Sequence, residues 1–312
     1  MTYLQILCLP LFLTLITGCA DTSSSLFENE VTEVSEVQIT DQRVLDTHTE
    51  YDLLYPTTDT TLGGTLYLPA GKGPFPVILF HFGSNGWERA NTPVGYPTNL
   101  YKEIEVGLFF YDRRGLGQSG GVCCEPEIEL MATDVIAGVE AISTIPQVDN
   151  KKIGLFGFSQ GGWVVPNAAA RSEQIAFTIV GSGGGVSMHE EDVYSHITGD
   201  EACKASALTR QEIDEFMATV TPGGYDPKSD LLNMTQPAYW YYGENDTSHP
   251  IRQVKQNLED IRTTYGKNWQ IEMFDNANHE FLLNASPCVS EGQLADTFTP
   301  LSEWLLNTLE QL

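Results

Sequence analysis

Short apolar runs and amphipathic stretches alternate along most of this chain. Residues 76–82, 107–111, 153–158, 175–180, 237–242 and 269–274 are β-rich apolar runs bounded by Gly, Pro, Asn, Asp or Lys, the pattern of strands buried on both faces. Between them, 127–145, 163–171 and 251–265 read as helices; on the first, Ile128, Met131, Val135 and Val139 recur at helical spacing and face inward. A last helix over 300–312 buries Leu301, Trp304, Leu305 and Leu309. Strand–helix alternation of this kind predicts an α/β fold, a mostly parallel sheet with helices on its faces. Residues 51–55 and 61–68, joined through Thr57-Thr58-Asp59, predict an antiparallel hairpin at the sheet edge. Residues 181–232 interrupt the alternation: Thr209 and Glu212 have capping-box spacing, and Ile213, Phe216, Met217 and Val220 follow at helical spacing. This insertion reads as a helical cap or lid over whatever the strand ends carry.

The chemistry concentrates at Gly157-Phe158-Ser159-Gln160-Gly161, where an apolar strand runs into a helix. Small residues flanking a serine at that junction leave room for strained backbone, so Ser159 can stand on a nucleophile elbow. A serine hydroxyl needs a base to take its proton, and the base needs a carboxylate to fix its tautomer. Strand 237–242 ends in Gly243-Glu244-Asn245-Asp246, which makes Asp246 the expected acid, with Glu244 and Asp275 as competitors. The next strand, 269–274, ends in Asp275-Asn276-Ala277-Asn278-His279, which puts His279 on the following loop as the expected base. Oxyanion donors are expected from the backbone N–H of Gln160 and from the loop after strand 76–82, at Ser84, with Phe82 or Gly83 as alternatives. Arg113 and Arg114, turning off strand 107–111, read as salt-bridging within their loop, with contact to a substrate carboxylate as the alternative. Asp134 reads as a structural hydrogen-bonder.

Taken together, Gly-Phe-Ser-Gln-Gly-Gly-Trp at 157–163, Tyr-Asp-Arg-Arg-Gly-Leu-Gly-Gln-Ser at 111–119, Phe-Gly-Ser-Asn-Gly at 82–86, Gly-Glu-Asn-Asp at 243–246 and Asn-His-Glu at 278–280 resemble the bacterial α/β-hydrolases related to dienelactone hydrolases and prolyl-oligopeptidase catalytic domains. The resemblance spans about residues 46–312. It implies an α/β-hydrolase fold with a mostly parallel eight-stranded sheet, flanking helices and a cap at about 181–232, and a triad of Ser159, Asp246 and His279. Two departures stand out: Phe82-Gly83 replaces a common His-Gly, and Phe158 precedes the serine where His is common. The expected activity is cleavage of a carboxylic ester through an acyl-enzyme. The alternatives are a thioesterase or peptidase on the same triad, or a binding lipoprotein without catalysis.

Composition narrows the partners. The 312-residue chain carries 16 basic and 42 acidic side chains, a net charge of −26, which argues against nucleic acid because phosphate contacts come mainly from Lys and Arg. The expected substrate is a small ester or acyl compound, with no cofactor; no His or Cys pair has metal-ligand spacing. The composition leaves the oligomeric state open.

Residues 4–16 are almost wholly apolar and end at Ile16-Thr17-Gly18-Cys19, which resembles a bacterial lipobox. This implies a signal peptide over 1–18, lipidation of Cys19, a tether over 19–45 and a catalytic domain over 46–312, exported and anchored to a membrane by acyl chains. Ala20, by resemblance to Gram-negative lipoproteins, favours the outer membrane, facing the periplasm or cell surface. Cys123, Cys124, Cys203 and Cys288 then remain. Four cysteines allow three pairings, and strain between neighbours points each of Cys123 and Cys124 to Cys203 or Cys288.

Overall fold

The computed structural model describes residues 28–29, 31–84, 88–91, 104–123, 127–285 and 291–312. The expected signal peptide, Cys19, Cys124 and Cys288 lie outside the described residues. In chain order the strands are β1 (Glu28–Asn29), β2 (Gln38–Val44), β3 (His48–Pro56), β4 (Thr61–Pro69), β5 (Phe75–His81), β6 (Gly107–Tyr111), β7 (Gly121–Val122), β8 (Val148–Phe158), β9 (Ile175–Gly181), β10 (Ala238–Gly243) and β11 (Trp269–Phe274). The helices are α1 (Ile128–Ser143), α2 (Gly161–Arg171), α3 (Met188–Thr198), α4 (Arg210–Met217), α5 (Lys228–Asn233), α6 (Ile251–Tyr265) and α7 (Phe298–Gln311).

The main sheet has nine strands in the order β11-β10-β9-β8-β5-β6-β4-β3-β2. From β11 to β6 all neighbours are parallel, while β4, β3 and β2 run antiparallel at one edge. The fold is therefore α/β, as the alternation predicts, with one strand more than the eight expected. The extra strand is β2, which falls inside the segment 19–45 expected to be a tether. All seven of its side chains are exposed, so no apolar alternation announces it. It is held by backbone pairing to β3 and by Arg43, whose guanidinium bonds Asp41, Glu50 and Asp52.

The parallel strands bury both faces. On one, Leu79, Leu155, Val180 and Trp240 pack with Val135, Val139 and Ile142 of α1, Val164 and Ala168 of α2, and Val254 and Leu258 of α6. On the other, Ile78, Phe110, Phe156, Phe177, Ile179 and Tyr239 pack with Leu301, Trp304 and Leu305 of α7. Each fully buried Leu, Ile or Phe contributes about 1.5–3 kcal/mol, which makes the parallel centre a rigid platform for whatever its strand ends carry. Among the described residues no helix is long and apolar enough to cross a membrane.

The 181–232 insertion supplies α3, α4 and α5. The Thr209 and Glu212 side chains form the expected capping box at the start of α4, and Ser187 and Glu190 form a second one on α3. Tyr194, Ile213 and Met217 make a small core of their own. Tyr194 Oη donates to Asp246 O at 3.2 Å, and Thr198 Oγ1 donates to Thr247 O. The insertion thus braces the loop after β10.

Candidate active site

Ser159 follows β8 directly and precedes α2. Its φ of 53° lies in the left-handed region, which costs a non-glycine residue free energy and persists only where the surroundings enforce it. Ser159 N donates to Gly181 O at 3.0 Å, and Gly162 N to Ser159 O at 2.8 Å. The turn also requires small neighbours. A Cβ on Gly157 would stand 2.5 Å from Gly161 O, and one on Gly161 would stand 2.5 Å from His81 O. Gly183, after β9, lies so close to the Ser159 carbonyl that any side chain there would collide with it.

Asp246 and His279 come together as their loops predict. His279 Nδ1 donates to Asp246 Oδ2 at 2.8 Å. Asp246 is fully buried, and its Oδ1 accepts from Ser248 N at 2.7 Å and His249 N at 2.9 Å, so the carboxylate is oriented from both oxygens. Gly243 packs on the Ala277 and Asn278 carbonyls, and Asn245 N donates to Ala277 O, which clamps the loop after β10 onto the loop after β11. Glu244 and Asp275 are exposed and make no hydrogen bond to His279.

The link from His279 to Ser159 is one of adjacency. Phe158 holds its ring 5.2 Å, centroid to centroid, from the His279 ring. Ser182 Oγ donates to His279 O at 2.8 Å, and the next residue is Gly183, which packs on Ser159. Ser159 Oγ makes no hydrogen bond to His279 in this structure; in unliganded sites such bonds are often long and tighten only around substrate.

Electrostatics favour charge on this pair. Burial opposes ionisation of Asp246, but His279 and the backbone donors outweigh it and hold its carboxyl below the usual range. Burial likewise opposes charge on His279, and the Asp246 carboxylate more than compensates, pushing the imidazole up to about 9.

Two neighbours join the pair in space: His249, which from the sequence is only an alternative histidine at the start of the helix after Asp246, and Glu191, which the sequence does not single out. His249 is fully buried, with its ring stacked 5.5 Å from His279 and tilted 5.4 Å from the Trp163 ring. Neither ring nitrogen has a hydrogen-bond partner, and burial drives its pKa down to about 3. Glu191 on α3 lies 3.9 Å from His249 Nδ1, and burial raises its carboxyl to about 7. What the sequence does not show is that folding brings both against His279. Asp246, His249 and His279 each place a ligand atom within 4.8 Å of the others, a proximity that a divalent cation requires and that local spacing does not reveal.

In the loop after β5, a Cβ on Gly83 would stand 3.6 Å from Ser159 Oγ, so Gly83 lies directly against the serine; Ser84, the expected oxyanion donor, is next to it and exposed. Gln160 is buried at the start of α2. The two arginines divide. Arg114 does form salt bridges, with Asp134 at 2.7 Å and Asp59 at 2.7 Å, but to α1 and to the turn between β3 and β4 rather than within its own loop as expected; Asp134 also accepts from Thr57. Arg113 departs from the salt-bridge expectation: its partners are Gly83 O, Gln160 Oε1 and Met131 Sδ. Cys123 is buried and Cys203 is exposed; neither is a free thiol.

The sequence profile of the dienelactone hydrolase family matches residues 122–307. Among curated proteins, an uncharacterised 31.7 kDa protein in the traX–finO intergenic region of Escherichia coli is 28% identical over 111 residues, 36% of this chain and 38% of that protein. The chain thus spans well under half the length of such relatives. Among solved structures, an esterase from Pyrococcus furiosus superposes with a TM-score of 0.60 at 14% identity, covering 90% of this chain and 98% of that one. An acetyl xylan esterase from Paenibacillus sp. R4 gives 0.57 at 16%, covering 82% and 93%. The acylaminoacyl peptidase of Pyrococcus horikoshii gives 0.56 at 19%, covering 78% of this chain and 39% of that one. At these identities the likeness is one of fold.

Proposed function

The chain belongs to the dienelactone hydrolase family, and from that premise we propose that it is a serine hydrolase that cleaves a carboxylic ester through an acyl-Ser159 intermediate. The observation that carries this reading is the oriented Asp246–His279 pair beside a serine held at φ 53°. His279 Nε2 takes the Ser159 proton as Oγ attacks the ester carbonyl. Asp246 keeps the Nδ1–H tautomer in place and stabilises the imidazolium. Gln160 N–H and Ser84 N–H receive the developing oxyanion. Collapse of the tetrahedral intermediate breaks the ester C–O bond, and His279 returns the proton to the departing alcohol. Water then attacks the acyl-enzyme with the same base, releasing the acid and restoring the serine. Every step uses the chain's own groups.

The cap over 181–232 is part of the reading: α3 touches the acid loop, so it can sense and limit what reaches the serine. Export, lipidation at Cys19, an outer-membrane location and disulfides among Cys123, Cys124, Cys203 and Cys288 belong to the same proposal. Intact mass of protein recovered from bacterial membranes tests the first two; non-reducing peptide mapping that finds four free thiols would end the last.

The deciding experiment compares wild type with Ser159→Ala on p-nitrophenyl esters from acetate to palmitate, with peptide anilides alongside. Hydrolysis that follows Ser159 and favours esters supports the reading, with turnover lowered by about 10⁶-fold in the variant. Undiminished hydrolysis by Ser159→Ala would contradict it.

A further inference from the structure

A buried guanidinium costs several kcal/mol unless its donors and charge are answered. Arg113 is only 8% exposed, yet none of its hydrogen-bond partners is a carboxylate. Asp134, a carboxylate whose charge acts on Arg113, is occupied by Arg114, which bonds both of its oxygens at 3.0 and 2.7 Å. Arg113 instead reaches across the sheet ends. Nη1 donates to Gly83 O at 2.9 Å, Nη2 to Gln160 Oε1 at 3.0 Å, and Nη2 also contacts Met131 Sδ. Arg113 also lines a cavity of about 540 Å³ between the N-terminal segment and α1.

The two oxygens it holds belong to the two segments that converge on Ser159. In a trans peptide the C=O and the following N–H point in opposite directions. Fixing the Gly83 carbonyl therefore fixes the direction of the Ser84 N–H, the donor assigned to the oxyanion. Fixing the Gln160 side chain pins the residue that supplies the other donor. One rigid fork thereby sets both donors relative to each other, and a planar guanidinium can hold two acceptors at a defined angle where an ammonium cannot. The guanidinium bonds both segments and has no carboxylate bonded to it, so its positive charge also favours a carbonyl oxygen that turns negative between them.

We propose that Arg113 is the positioning residue of the oxyanion hole, clamping the Gly83–Ser84 peptide and Gln160 so that their N–H groups are aimed before the tetrahedral intermediate forms. The proposal rests on the serine-hydrolase reading and deepens it.

The test measures Arg113→Met and Arg113→Lys against wild type in p-nitrophenyl acetate hydrolysis, with active sites counted by a fluorophosphonate. Phenylboronic acid, which adds to the serine as a tetrahedral adduct, reports transition-state binding independently of turnover. Arg113→Met is expected to lose about 100-fold in kcat per titrated site, the lower end of the loss from removing one oxyanion donor, with KM changed by less than about threefold. Boronate affinity should fall by the same factor, and Arg113→Lys should lie between the two. A merely structural role would reduce the titratable fraction or the melting temperature and leave kcat per site and boronate affinity unchanged; that result overturns the proposal. Should Arg113→Met fail to fold, Arg113→Lys carries the same comparison, and wild-type kcat and boronate affinity in it would be equally contrary. Absence of fluorophosphonate labelling in the wild type would bring down the hydrolase reading itself, and with it this proposal.

Discussion

Asp246→Asn is the perturbation whose outcome the structure constrains most tightly. Asparagine has the same shape, and its Oδ1 can still accept from Ser248 N and His249 N, so the loop has no reason to move. The amide that replaces Oδ2 then presents N–H to His279 Nδ1. That nitrogen must become an acceptor, the ring proton moves to Nε2, and the imidazole can no longer take a proton from Ser159. In a serine hydrolase with this arrangement, such a tautomer error costs about 10⁴ in kcat, equivalent to about 5.5 kcal/mol of transition-state stabilisation. The pH profile should change as well. His279 must be neutral to act as base, and Asp246 holds its pKa up to about 9, so wild-type kcat/KM should rise with pH along a limb centred well above the ordinary imidazole value of about 6.5. Without the carboxylate, burial remains to disfavour the charged ring, and the limb should fall by at least about one pH unit. Initial rates on p-nitrophenyl acetate between pH 5 and 10, normalised to titrated sites, provide both numbers. An Asn variant within tenfold of wild type at every pH, or a limb that stays put, would refute the assignment of Asp246 as the acid.

Other positions give independent outcomes. Gly161→Ala would place a Cβ 2.5 Å from the His81 carbonyl oxygen, where ordinary contact begins at 3.4 Å; the elbow must shift, with a stability loss of about 1–3 kcal/mol in urea unfolding and a marked drop in kcat. Arg114→Met strands the buried Asp134 carboxylate and should cost about 3–5 kcal/mol, while kcat per titrated site stays near wild type, in contrast to Arg113→Met. His249 is buried neutral with a pKa near 3, below its unfolded value. Its contribution is therefore present above about pH 6.5 and lost as pH falls towards 3, roughly 2 kcal/mol by pH 5. His249→Phe should unfold at pH 5 with less acid sensitivity than wild type, and equal sensitivity would mean the ring is hydrated or partnered.

Much of this architecture was legible because burial on two faces leaves a strong mark. Strands β6, β10 and β11 and helix α6 fall where their apolar runs and helical spacing put them, and Asp246 and His279 meet because each ends one of the strands so identified. The misses share a different physics. Strand β2 is exposed along its whole length, so its existence depends on backbone pairing and on Arg43, neither of which has a periodic signature. Arg113 and Arg114 are adjacent and chemically alike, yet one is spent on Asp134 and Asp59 while the other is left to Gly83 and Gln160; only the direction of two neighbouring side chains separates them. His249 buries two ring nitrogens that make no hydrogen bond, against the usual rule for buried nitrogen, and composition alone gives no warning of that.

The most direct measurement for the account as a whole is the mass of the enzyme trapped during turnover of a slow p-nitrophenyl ester. The protein should gain one acyl group, and peptide mapping should place it on Ser159, with the adduct decaying at the steady-state rate. An acyl group on another residue, or steady turnover with no adduct and no burst of p-nitrophenol, would contradict the claim that this serine is the nucleophile.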